Sequence, residues 1–390
     1  MIHPKRIFYV SLILIVSVFG GSARGADVKP KPIIMRVCLS ENADTIDLYL
    51  RGPYKIHDVE SGNLLKRGKS LRARITPVGQ GIQFSSERLN SQAIRIRTSV
   101  NSNIYINDRR VRGELVIIIS EKSKLTVINY LEMEEYLCGV LYHEVSHRWP
   151  MEVLKAQAVA ARTFALYHRR ENRLKDYDVR SDIFSQVYGG RESETWSTNR
   201  AVQSTRGEVL VYDGKLFPAY FHATCGGRTE DASLLWNIDL APLKGVQCDF
   251  CVDSPHYHWT KRIPVPEIEK KLVEKGYKLT GISSIRVASR DPSGRAEKIE
   301  LVDESGTVTM MTSKDLRLIM GTDVIRSTNF DIQIENQTAF FKGLGWGHGV
   351  GLCQWGANGM ARQGRTKEEI LKFYYPGSEI ATISSIKDQL

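Results

Sequence analysis

The sequence has one long apolar run and no second, which excludes a polytopic membrane protein. Its six cysteines in 390 residues are too few for a disulfide scaffold, though enough for one metal site or one or two bridges. It has no tandem repeat and no low-complexity tract. With 42% hydrophobic and 25% charged residues, it is neither a wholly disordered nor a collagen-like chain. No G-x-S-x-G occurs. The glycine-dense stretch at 343–351 lacks Gly-Lys-Ser/Thr and does not fit G-x-G-x-x-G followed by an acid on a strand, so nucleotide binding is excluded. No basic run is interleaved with aromatics, and nucleic acid is not an expected partner.

The one apolar run lies at the start. Lys5 and Arg6 precede Ile7 to Phe19, and small residues follow through Gly25. The run has signal-peptide length and is short for a membrane span of about 20 residues. The expectation is export to the periplasm, cell wall or extracellular space, with residues 1–25 removed; a membrane partner is expected only if the segment is retained. No cysteine near the junction suggests a lipid anchor. The net charge is +10; without residues 1–25 it is +7, from 51 Lys and Arg against 44 acids. A basic exported chain suits an anionic envelope polymer or lipid headgroups, and equally a soluble protein with a basic surface.

At roughly 100–200 residues per domain, the length suggests two or three domains. Residues 27–120 read as β-structure: short runs such as Ala93–Thr98 and Asn103–Ile106 alternate apolar and polar positions, separated by Gly, Asn, Ser and Pro. The texture changes at Asn129. Leu131–Val140 has helical spacing. From Met151 to about Arg170, Leu154, Ala158, Ala161, Ala165 and His168 form one stripe, which predicts a central, buried, Ala-rich helix. Later segments alternate strands and short helices. The fold class expected is α+β, with a β-rich N-terminal region and a mixed α/β catalytic domain over 121–377.

Three groups of residues carry chemistry. Glu144 lies between the Leu131–Val140 segment and the helix that Pro150 opens, beside Val145 and Trp149. Apolar surroundings would raise its pKa and make it a proton donor near neutral pH, as cleavage of a glycosidic bond requires. The plain alternative is a solvated glutamate at a helix start. The second group is His222-x2-Cys225 with Cys248-x2-Cys251, which predicts a tetrahedral zinc site or, in an oxidising compartment, a disulfide from Cys225. His256 and His258 are alternative ligands to His222. Cys38, Cys138 and Cys353 read as buried small hydrophobes. The third group is the glycine-rich stretch with Trp346 and His348, where His348 either lines a cleft or packs structurally. His143-Glu-Val-Ser-His147 also matches the H-E-x-x-H zinc-peptidase pattern, but Pro150 signals a helix start where that pattern needs one continuous helix.

In order along the chain, Val127–Val140, His143–Thr163, Ser185-Gln-Val-Tyr-Gly-Gly190, Phe221-His-Ala-Thr-Cys-Gly-Gly-Arg-Thr-Glu230 and Gly345-Trp-Gly-His-Gly-Val-Gly-Leu-Cys-Gln-Trp-Gly-Ala357 resemble the motifs of one family. It is the family of stage II sporulation protein D and the amidase enhancer LytB, and the resemblance spans about residues 110–377. It implies a lytic transglycosylase acting on peptide-stripped peptidoglycan glycan strands and forming 1,6-anhydro ends, with Glu144 at the position of the family's catalytic glutamate. On that chemistry Gln186 and Tyr188 either contact sugar hydroxyls or pack their loop, and the resemblance also implies a zinc held by Cys and His near the cleft. Val145 departs from a common methionine, Cys138 and Cys353 replace polar residues, and histidines flank Glu144. The non-enzyme alternative within the same family is a glycan-binding activator or scaffold of a cell-wall amidase.

Overall fold

The computed structural model describes residues 32–100, 102–182 and 185–389; the predicted leader, residues 1–25, lies outside them. Alternation of apolar and polar residues builds the first part. β1 (Ile34–Ala43), β2 (Ile46–Asp58), β3 (Leu64–Val78), β4 (Gly81–Phe84), β5 (Glu87–Leu89), β6 (Ala93–Thr98), β7 (Asn103–Ile106), β8 (Arg109–Val111), β9 (Glu114–Ile119) and β10 (Leu125–Glu132) follow one another. In β2 every second residue from Ile46 to Leu50 is buried and those between are exposed, the pattern of strands with one wet face.

β10 runs straight into α1 (Met133–Glu144), and a short turn leads to α2 (Met151–Glu171) and then β11 (Val179–Arg180). The main sheet has the order β11-β1-β10-β9-β6-β2-β3-β4-β5, with β7 on β2 and β8 on β7. Its inner face and the two helices share one core: Ile46, Leu48, Ile56 and Ile96 belong to the same cluster as Tyr136, Leu137, Leu154, Ala158 and Ala161. The β-rich region and the helix pair are therefore continuous in hydrophobic contact.

α2 is the central Ala-rich helix that its spacing predicts, buried on two sides. Leu154, Ala158, Ala161 and Ala165 face the sheet core. Val153, Ala156, Val159 and Ala160 face a second core built from the C-terminal segments. Alanine at these positions lets backbone approach from both directions without a side-chain entropy cost.

Next come α3 (Trp196–Ser204), β12 (Glu208–Tyr212), β13 (Lys215–Leu216), β14 (Phe221–His222) and α4 (Ala232–Trp236). Residues 258–344 then form a module with its own core around Ile268, Ile299, Leu316 and Phe341. It consists of β15 (His258–Pro264), α5 (Val265–Glu274), β16 (Ile282–Arg290), β17 (Ala296–Asp303), β18 (Val308–Thr312), α6 (Ser313–Met320), β19 (Phe330–Glu335) and β20 (Thr338–Leu344). The chain returns through β21 (Leu352–Cys353), α7 (Gln354–Arg362), α8 (Lys367–Tyr374) and β22 (Glu379–Thr382). β21 pairs in parallel with β14, setting Cys353 opposite His222.

The glycine-dense stretch is explained here. Gly345, Gly347, Gly349 and Gly351 all have positive φ, from +71° to +116°. A Cβ at Gly351 would lie 2.0 Å from the Tyr220 carbonyl oxygen, and one at Gly345 would lie 2.5 Å from that of Thr224. These glycines let the returning strand press against the backbone of 220–225. Among the described residues no helix is long and apolar enough to cross a membrane.

Candidate active site and metal centre

α1 ends on Glu144. Val145 has extended geometry, φ −138° and ψ 150°, so the helix stops one residue after His143-Glu144. His147 therefore lies outside that helix, and the i, i+4 arrangement of a zinc peptidase does not form. His143 bonds Ser193 Oγ at 2.6 Å, while His147 stacks on Tyr142 at 5.5 Å.

At the C-terminal end of α1, Glu144 faces the negative pole of the helix, which disfavours its ionised form. Burial is the largest cause and pushes its carboxyl from the ordinary 4.5 to about 7. Two hydrogen bonds pull the other way: Val187 N–H donates to Glu144 Oε1 at 3.4 Å, and the Gln354 side chain also donates. Burial wins. The group is neither salt-bridged nor fully solvated, so it holds a proton near neutral pH and can release one.

Val187 is held in place from behind, and of the two roles open to Gln186 and Tyr188 the structure shows loop packing in place of sugar contact. Gln186 is fully buried: its Oε1 accepts from Tyr136 Oη at 2.9 Å and its Nε2 donates to the Ala161 carbonyl at 3.3 Å. Tyr188 is 1% exposed and stacks on Tyr136 with ring centroids 5.6 Å apart. Gly189 N–H donates to the Gly139 carbonyl at 3.0 Å. Both side chains point into the core because α1 offers a bare glycine there; they brace the loop that carries Val187.

Gln354 comes from the far end of the chain. It is the first residue of α7, 6% exposed, and its Nε2 donates to Gln157 Oε1 at 3.5 Å. Around it runs a strip of part-exposed rings: Trp149 on Trp355 at 5.0 Å, Trp355 near His256 at 6.4 Å, and His256 on Trp346 at 4.6 Å. Arg326 lies 4.8 Å above the Trp346 ring. Tyr142, in the last turn of α1, and Trp196, the first residue of α3, are 41% and 73% exposed. Part-exposed planar rings of this kind suit a ligand with apolar faces and hydroxyl edges.

His348 stands in a separate ring cluster with Trp236 at 5.0 Å and His222 at 5.5 Å. Its Nδ1 accepts from Val350 N–H at 3.0 Å, and burial, followed by the charge of Arg317, pushes it down to about 3. His222 is also held well below its ordinary value by burial, and donates from Nδ1 to the Val350 carbonyl at 3.1 Å.

His222 is not with the cysteines. The ligand atoms of Cys225, Cys248, Cys251 and Cys353 all lie within 4.8 Å of one another, and all four residues are buried. The β14–β21 pairing brings Cys353 in as the fourth member, while His222 turns to Val350. Every cysteine is a free thiol, so the disulfide alternative is not realised. The donor set fits zinc: thiolates about 2.3 Å from a tetrahedral ion would be about 3.8 Å apart, and Cys225 Sγ and Cys251 Sγ are 3.4 Å apart. Backbone N–H groups of Cys225 and Gly356 point at Cys353 Sγ at 3.2 and 3.3 Å, the support a thiolate ligand needs. Four protein sulfurs leave no open position, so a zinc here would hold structure together.

Sequence reasoning missed Cys353, Gln354, Val187 and the ring strip. For Cys353 the signal was present, a further cysteine directly after the glycine block, but its partner segment lies 128 residues away in sequence.

Comparison with known proteins sets the family. The stage II sporulation protein family matches residues 121–212, and a domain of unknown function, DUF8618, matches residues 247–351. The chain is 31% identical to stage II sporulation protein D of Bacillus amyloliquefaciens over 274 residues, 66% of this chain and 76% of that one. It is 34% identical to an uncharacterized protein of Brachyspira hyodysenteriae over 358 residues, 91% and 95% of the two chains. Similarity to the amidase enhancer of Bacillus subtilis is 27% over 293 residues, covering 40% of that protein. The chain belongs to the family of stage II sporulation protein D and the amidase enhancer LytB.

Proposed function

We propose that this chain is an exported lytic transglycosylase that cleaves the MurNAc–GlcNAc bonds of peptide-stripped peptidoglycan strands. Its family ties it to cell-wall-related roles in sporulation or amidase enhancement. The observation that carries the finer reading is Glu144, whose carboxyl is raised to about 7 by burial at the end of α1. Protonated, it donates to the glycosidic oxygen as the bond to MurNAc C1 breaks. The oxocarbenium-like sugar is captured by its own 6-hydroxyl, and Glu144 takes the proton that hydroxyl releases, closing a 1,6-anhydro ring. Proton and electron-pair movements balance with one carboxyl and no added water, in contrast to hydrolysis with a carboxylate pair.

The remaining residues have supporting tasks. Val187 N–H and Gln354 hold Glu144 in one orientation, and Trp149, Trp355 and Trp346 offer ring faces to successive sugars. Cys225, Cys248, Cys251 and Cys353 would hold zinc and tie the α7 start, hence Gln354, to the rest of the fold.

The test is digestion of purified glycan strands, with and without stem peptides, by the wild type and Glu144→Gln, with ends identified by mass spectrometry. The reading requires 1,6-anhydro ends from the wild type and none from the variant. Ends that carry an added water would make the protein a hydrolase. Glycan binding without cleavage would favour an amidase activator, a role in which Glu144→Gln changes nothing.

A further inference from the structure

The positive charge of this chain is not spread over it. Residues 121–390, which hold Glu144, the ring strip and the cysteine cluster, contain 35 Lys and Arg and 35 Asp and Glu. Residues 33–120 contain 14 Lys and Arg against 8 acids, a net +6 of the +7 that remains without residues 1–25.

Strand register gathers much of this excess on one surface. Lys55 of β2 lies directly opposite Arg67 of β3 and, on its other side, Arg97 of β6. Residues opposite each other across a sheet share a face, so the three cations form a row across three strands. Arg51 and Arg72 extend the same face toward the other end of β2, and Lys69 lies in the bulge between the two blocks of register. The inward residues of these strands, Leu48, Leu50, Ile56, Ile94 and Ile96, are buried in the core.

The sheet neutralises some cations on this face, Arg97 at the end of the row among them. Arg74 pairs with Asp47 at 2.9 Å, and Arg97 with Glu114 at 2.9 Å. Arg51, Lys55, Arg67, Lys69 and Arg72 form no ion pair and no side-chain hydrogen bond among the described residues. Like charges directly opposite each other weaken a strand pair, so Arg67 against Lys55 is an arrangement that folding alone does not favour. A groove of about 680 Å³ opens at the same place, lined by Pro53, Lys55, Arg67, Lys69, Arg97 and Ser99, with four cations and no acid.

We propose that the outer face of β3, β2 and β6 is a binding site for a linear polyanion of the envelope, one that carries phosphate or carboxylate groups along its length. The site is distinct from the Glu144 region and does not depend on what Glu144 does. Its cations lie about 4.8 Å apart between strands and about 7–13 Å apart along them, two to four residues from one to the next, a spread that matches successive charges of a polymer better than the converging donors needed by one small anion. The Tyr49–Tyr105 pair, stacked at 5.6 Å across β2 and the adjoining β7, offers a ring face to a sugar backbone. Leu64 and Val78, at the two ends of β3, are the exposed aliphatic residues of these three strands, and the surface between them carries Arg and Lys, which favours a polymer over a bilayer.

The test measures binding of the whole chain to long-chain polyphosphate, to polygalacturonate and to phosphatidylglycerol vesicles across a salt series. One variant reverses the row, K55E/R67E/K69E. A control makes the same charge change at exposed lysines of the inserted module, K270E/K275E/K278E. Polymer binding is expected to weaken steeply with salt, to fall at least about tenfold in the first variant, and to stay within about twofold in the control. Circular dichroism and thermal melts check that both remain folded. Binding of polyphosphate alone or polygalacturonate alone identifies which anion the site takes. Equal loss in both variants, no polymer binding, or binding to vesicles only would overturn the proposal.

Discussion

A carboxyl that works as a proton donor near pH 7 has to be kept from ionising, and ending α1 on Glu144 does this through burial and the helix pole together. The folded-state pKa lies above the ordinary value, so the folded chain holds the extra proton between about 4.5 and 7 and loses stability as pH rises through that window. Glu144→Gln removes that loss. Its stability advantage over the wild type is expected to be absent below pH 4.5 and to reach on the order of 2–3 kcal/mol above pH 7, measured by denaturant melts at several pH values. On the proposed mechanism, wild-type glycan cleavage falls as pH rises through about 7, because the acid form disappears. Tyr136→Phe tests the support behind Val187. Leaving buried Gln186 Oε1 without its donor is expected to cost about 1–3 kcal/mol. It should also move the alkaline limb of the activity profile upward, since a loosened Val187 N–H stabilises the carboxylate less.

At the scale of elements, α1 and α7 meet at the site through glycine contacts that propensity alone would misjudge. Gly139 lies inside α1, where glycine to alanine normally favours the helix by up to about 1 kcal/mol. A Cβ there would come within 2.4 Å of the Tyr188 ring, which is fully buried and has no room to move. Gly139→Ala is therefore expected to destabilise the chain by about 1–3 kcal/mol, the opposite sign to its helix propensity, as a thermal melt would show. On α7, a Cβ at Gly359 would meet the Phe250 carbonyl oxygen at 2.1 Å. That close approach seats the segment bearing Cys248 and Cys251 against α7 and sets Gln354 near Glu144. The glycines also hid α7 from sequence reading: Gly356 and Gly359 within nine residues look like loop, and only the packed neighbour explains them.

For the molecule as a whole, the four-cysteine cluster joins segments around 225, 250 and 353, on both sides of the inserted module. If zinc fills it, the purified chain carries one zinc per molecule by elemental analysis. Cys353→Ser is expected to lose that zinc and several degrees of melting temperature, as is chelation of the wild type. His222→Ala is expected to keep the metal, and this outcome separates the four-cysteine set from the Cys/His set that sequence spacing suggests. A zinc content that drops with His222→Ala and survives Cys353→Ser would reverse the assignment.

Local chemistry made much of this legible in the sequence. Period-two alternation marked Ala93–Thr98 and Asn103–Ile106, and a small-residue stripe marked α2. The α+β class and the position of Glu144 follow from such signals, because each depends on residues a few places apart. The rest rests on contacts between distant segments. Whether Gln186 faces a sugar or the core depends on a glycine 47 residues earlier in α1, which makes room for Tyr188 beside it. Which residue completes the sulfur cluster depends on β14 lying beside β21. Charge behaves in the same way: composition shows an excess of cations, but only strand register turns Lys55, Arg67 and Arg97 into a row. A linear sequence carries spacing, whereas burial, and with it the raised Glu144 carboxyl, exists only once the chain has closed around it.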